Sequence, residues 1–125
     1  MLTRIFKTTI IVMILLPGLV ACTYDQISPE AVAVPDEVFF TTDIQPIFDA
    51  SCNTAGCHDG TVSPDLRPSD NLVTILLLTQ VVDTTDTENS LLWKKINDGG
   101  SMEGYASDKD RALIHQWIEL DAPDN

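Results

Sequence analysis

Cys52, Cys57 and His58 are the residues of this chain whose types and spacing could do chemistry. They stand in the run Cys52-Asn53-Thr54-Ala55-Gly56-Cys57-His58. Two thiols can add across the two vinyl groups of a haem and become thioethers. A histidine directly after the second cysteine can then reach the iron as the proximal ligand. The common spacing leaves two residues between the cysteines, and here there are four. The same thiols could instead close a disulfide, with His58 incidental. A zinc site is a third use of such residues, but adjacent Cys and His do not easily reach one tetrahedral ion, and no fourth ligand is evident. Two cysteines are too few for an iron–sulfur cluster, and the Cys-x-x-Cys spacing of a thiol oxidoreductase is absent.

The third cysteine is Cys22. Arg4 and Lys7 form a short basic segment, and Ile10 to Leu16 an apolar one too short to span a bilayer. Leu19-Val20-Ala21-Cys22 follows and resembles a bacterial lipobox, which implies cleavage before Cys22 and lipid on its sulfur. Residues 1–21 then read as a signal peptide, 22–37 as a lipidated N-terminus and tether, and 38–125 as the packed domain. The expected location is the bacterial cell envelope, lipid-anchored on the periplasmic or cell-surface side. Free thiols do not persist there, so Cys52 and Cys57 should be bridged or carry haem.

The full chain of 125 residues has a net charge of −12. Without residues 1–21 it would carry five basic and nineteen acidic side chains, or −14. Nucleic acid is a poor partner for such a surface, because phosphate binding needs clustered Lys and Arg. A redox partner protein with a basic docking patch fits better, and acidity that simply keeps a surface protein soluble fits equally well. A domain of this size makes a marginal core, and a covalently held haem would give short helices an apolar plate to pack on.

The elements that must position these residues read as helices. Thr42 or Asp43 should cap the first, with Pro46 in its first turn and Ile44, Ile47 and Phe48 on one face, leading into Cys52. Gly56 should supply backbone freedom where the longer Cys–Cys loop bulges. Ser69 or Asp70 should cap a helix over 71–79, apolar nearly all round and therefore buried, although its β-branched residues also allow a strand. Asn89 or Ser90 should cap a short helix through Leu91, Leu92, Trp93 and Ile96, stopped by Gly99-Gly100. Ser107 should cap the last, with Leu113, Ile114, Trp117, Ile118 and Leu120 on one face and His115 pointing away. The expected fold class is all-α: a compact bundle of about four short helices around the cofactor.

An iron held by His58 would have a sixth position. Past the lipobox the chain has one methionine, Met102, in the Gly99–Gly104 loop, where a thioether could swing over the open face. His115 is the other histidine, and its helical phase makes it a surface residue. Lys94, Lys95 and Arg67 are candidates to balance haem carboxylates.

Asp43-Ile44-Gln45-Pro46-Ile47-Phe48, the Cys-His pair, Ser90-Leu91-Leu92-Trp93, the Gly/Met loop and Leu113-Ile114-His115-Gln116-Trp117-Ile118 together resemble a small single-haem cytochrome c domain of the bacterial lipoprotein type. The four-residue Cys spacing is a variant found among multihaem cytochromes. The resemblance covers about residues 40–122 and implies one covalent haem c held by Cys52, Cys57, His58 and Met102. It implies electron transfer rather than catalysis, alone or as the carrier within a larger oxidoreductase assembly. It also implies that the first and last helices cross through Phe48 and Trp117. Family loops usually read Met-Pro, whereas Glu103 follows Met102 here. The competing expectation is a disulfide-stapled helical lipoprotein that acts as a binding module without haem.

Overall fold

The computed structural model describes residues 32–125, so the expected signal peptide and the lipid site at Cys22 lie outside the described residues. Within them the chain is helical and contains no strand. No described helix is long and apolar enough to cross a membrane. Residues 32–37 are irregular and largely exposed, and packing begins at Val38.

Helix α1 (residues 40–52) has wide π-type turns at Phe40–Ile44 and Phe48–Cys52 around a single α turn at Gln45–Ile47. Pro46 has no N–H to give the ladder. The wide turn before it hands the Phe40 carbonyl to the Gln45 N–H, five residues on. The helix starts earlier than the expected Thr42 or Asp43. Its first N–H groups are capped from far away: Phe40 donates to Asn125 Oδ1 (2.9 Å) and Thr41 to the Asn125 main-chain oxygen (3.0 Å). Asp43 lies inside the first turn and accepts from the Phe39 N–H at 2.8 Å. Ile44, Ile47 and Phe48 are buried on one face, as their spacing predicts.

Helix α2 (Leu72–Leu78) departs from expectation twice. Asn71 precedes it without a side-chain cap, so neither Ser69 nor Asp70 caps it. Leu72, Val73 and Leu76 are buried, but Ile75, Leu77 and Leu78 are exposed, Leu78 by 79%. A helix on the outside of so small a domain has only one face to cover, whatever its composition. Beyond it, Val81 and Val82 both donate to the Leu76 carbonyl, and Val82 is buried.

A 3₁₀ turn at Thr87–Asn89, capped by Asp86, leads into α3 (Leu91–Ile96), which buries Leu92 and Ile96. Ser90 stands at its N-cap position, but its hydroxyl is used elsewhere, donating to the Val81 carbonyl and accepting from the Asp83 N–H, both at 3.3 Å.

Helix α4 (Asp108–Glu119) begins with a capping box. The Ser107 hydroxyl accepts from the Asp110 N–H, and the Asp110 carboxylate accepts from the Ser107 N–H. Ile114, Trp117 and Ile118 are buried and Leu113 partly so. Leu120 lies past the last turn and is exposed, because the chain turns away there at positive φ (Asp121 68°, Ala122 47°).

Helices α1 and α4 meet through three rings rather than two. Phe40 lies edge-on to Phe48 at 6.2 Å and tilted against Trp117 at 5.5 Å. Phe40 is thus the link between the two residues expected to carry the crossing. Trp117 Nε1 donates to the Pro123 carbonyl at 3.0 Å, which ties down the chain after α4.

Candidate functional site

The segment after α1 folds back on itself. Asn53 N–H closes the last wide turn on the Phe48 carbonyl, Cys57 N–H reaches the Thr54 carbonyl, and His58 N–H returns to the Cys52 carbonyl at 3.1 Å. These bonds bring Cys57 and His58 back beside the end of α1. Gly56 makes the reversal at φ +83°, a conformation a side chain would oppose. Asp59 then staples the loop by accepting from the Gly56 and Thr61 N–H groups, both at 3.1 Å. The Thr61 hydroxyl and these amides hold its carboxyl down to about 2. On the other side, Gln45 and Asn53 each bond both Asp49 Oδ1 and the Leu66 carbonyl, fixing the returning segment of the loop to α1.

His58 Nδ1 lies 2.8 Å from the Pro64 carbonyl oxygen. A carbonyl only accepts, so Nδ1 carries a proton, and in the neutral imidazole the lone pair then lies on Nε2. A main-chain oxygen on the far nitrogen is the usual way a metal-binding imidazole is oriented and its ligand nitrogen made more basic.

Cys52, Cys57, His58 and Met102 line one cavity of about 470 Å³. That is within the range of small-molecule and cofactor sites. Phe48 of α1, Leu66, Leu76 of α2, Val81, and Leu92 and Ile96 of α3 make its walls apolar. The two cysteines are half-buried free thiols. The Cys52 thiol is pushed up to about 11, mainly by burial and further by the negative charges of Asp110 and Cys57. It is therefore protonated at neutral pH and is no activated nucleophile.

Met102 reaches the cavity from the loop between α3 and α4. Its N–H donates to the Lys95 carbonyl at 2.7 Å, and Glu103 folds back to accept from the Gly99 N–H at 2.9 Å. Gly100 is pressed against the end of α3, where a Cβ would run into the main-chain oxygens of Lys94 and Lys95. At 37% exposed, Met102 sits at the rim and is no core filler.

The remaining candidates separate. Lys95 lines the cavity, whereas Lys94 and Arg67 do not. Arg67 is paired with Asp65 at 2.6 Å. His115 also lies outside the wall. Its Nε2 is 2.9 Å from Glu88 Oε1, and its ring packs edge-on to Trp93 at 4.5 Å. Trp93 Nε1 donates to the other Glu88 oxygen at 3.0 Å. These two donors, His115 first, lower the Glu88 pKa. The cluster pins α3 to α4, so His115 is on the polar face yet not idle.

Among the described residues, no three His, Cys, Asp or Glu side chains come together to hold a metal ion. Pro64 and Asp59 escape a sequence reading, because one acts through its carbonyl and the other through backbone amides. Comparison with protein families, with curated proteins and with solved structures returns no match.

Proposed function

We propose that this chain is a lipid-anchored electron-transfer protein of the cell envelope carrying one covalent haem c. One observation carries the reading: both cysteines, a histidine oriented through Nδ1 and Met102 line the same apolar cavity. A disulfide loop alone would call for neither an oriented imidazole nor an adjoining cavity of cofactor size.

The donor set suits haem better than a bare ion. Without a porphyrin to supply four equatorial nitrogens, the residues here are too few for a metal site. Cys52 and Cys57 would hold the porphyrin edge as thioethers, each S–H adding across one vinyl group. His58 and Met102 would be the axial ligands, and a His/Met pair raises the potential over two histidines. When bound, the haem supplies a one-electron iron couple.

The chain's own part would be to fix the ligands and to offer the cofactor apolar walls. Pro64 accepts from His58 Nδ1, the Asp59 staple sets the loop, and Leu76, Leu92 and Ile96 give the cavity apolar walls. If His58 and Met102 both held the iron, the haem would supply outer-sphere electron transfer rather than a substrate site. The test is the visible spectrum of the exported protein made alongside a cytochrome c maturation system. Sharp low-spin bands on reduction are expected. A colourless protein, from cells in which a control cytochrome matures, contradicts the proposal.

A further inference from the structure

The haem reading leaves open which way the cofactor's acidic edge faces. Haem carries two carboxylates, and this domain is strongly acidic, with a chain net charge of −12. An anion seated at its surface would be repelled unless a cation stood nearby. The cavity wall contains one Lys or Arg, Lys95, and no Asp or Glu. Lys95 sits in the last turn of α3, beside the buried Ile96, and its carbonyl holds the Met102 N–H. The described residues give Lys95 no carboxylate partner, whereas Arg67 and Arg111 are both engaged, with Asp65 and with Asp108. Lys95 is largely exposed, so its charge costs nothing to keep and can serve a group at the cavity mouth.

We propose that Lys95 is the ion-pair partner of a haem carboxylate, so that the acidic edge of the cofactor faces the end of α3 beside the Met102 loop. This rests on the haem reading. The pair is charge-assisted but solvent-exposed, so it acts less on stability than on the charge state of the carboxylate. A carboxylate beside Lys95 ionises at lower pH than one without a cation, and the cation disfavours the ferric charge on the iron.

The experiment is a potential–pH profile of the full haem-loaded protein for wild type, Lys95→Gln, Lys95→Arg and Lys94→Gln. Lys94 is the neighbouring exposed lysine outside the cavity wall, so its variant makes the same change in net charge. In wild type the potential should change little between about pH 5 and pH 8, because the paired carboxylate stays ionised. In Lys95→Gln the ferric form should gain about threefold at the upper end, or roughly 30 mV for one electron. A new rise in potential should appear toward the acid end as the unpaired carboxylate takes a proton. Lys95→Arg should restore the wild-type profile, and Lys94→Gln should keep it. A Lys95→Gln profile that matches that of Lys94→Gln overturns the pairing. A wild-type protein without haem overturns the haem reading and the pairing with it, and shows before any variant is made.

Discussion

His58 and Pro64 are coupled through one hydrogen bond, with Nδ1 2.8 Å from the carbonyl oxygen six residues on. The bond commits the neutral imidazole to the tautomer with its lone pair on Nε2, on a side chain that lines the cavity. The loop that makes this contact is tied at both ends. Val62 N–H returns to the Cys57 carbonyl and Leu66 N–H to the His58 carbonyl.

His58→Ala should therefore leave thioether attachment feasible but remove the proximal ligand. The expected outcome is haem-positive protein whose spectrum is no longer low-spin. A low-spin spectrum unchanged from wild type would remove His58 from the iron.

Met102→Ala should keep the haem and lose the thioether ligand, lowering the potential. Met102 is a rim residue, so in the haem-free protein the stability cost should stay below about 1 kcal/mol. Optical and electrochemical titration check the first part and denaturant unfolding the second. Identical spectra and potentials for variant and wild type would sink the ligand assignment.

The fold was legible in sequence where the deciding contacts are local. Ser107 and Asp110 are three residues apart, so their capping box and the face of Ile114, Trp117 and Ile118 could be read directly. The start of α1 could not, because its cap comes from Asn125, 85 positions beyond Phe40. The buried face expected all round α2 failed at Ile75, Leu77 and Leu78, since composition does not say how many faces a neighbour covers. In the site, residue type and order flagged Cys52, Cys57, His58 and Met102. The Pro64 carbonyl carries no residue-type signal. The His115–Glu88 bond spans 27 residues and was equally invisible.

Trp117 is fully buried among Phe40 and its neighbours, whereas Leu120 is exposed. Trp117→Ala should cost about 3–5 kcal/mol, and Leu120→Ala no more than about 0.5 kcal/mol. Urea unfolding midpoints measure both. Similar losses at the two positions would contradict the packing described for α4.

Cys52 carries a pH signature before haem is attached. Its folded pKa is raised from 9.0 to about 11, so the folded state binds more protons than the unfolded one in between. Stability of the haem-free protein should fall as pH rises through that window and be unaffected by this group below it. In Cys52→Ala that alkaline slope should vanish. Thermal melts of reduced protein from pH 8 upward read it directly, and an equal slope in both proteins would refute a buried, protonated Cys52.

Replacing both Cys52 and Cys57 by alanine should abolish covalent haem and, with it, much of the packing around the cavity. Helical circular dichroism and a cooperative melt equal to those of the haem-loaded protein would show that the domain needs no cofactor as its staple.

The central claim is thioether attachment at Cys52 and Cys57, and the most direct measurement is a haem stain on a denaturing gel. The exported chain is made in cells with a working cytochrome c maturation system, alongside a control cytochrome. A stained band at the mass of this chain, lost in the double alanine variant, is the predicted result. A protein band without stain beside a stained control would contradict it and leave Cys52 and Cys57 as a disulfide-forming pair.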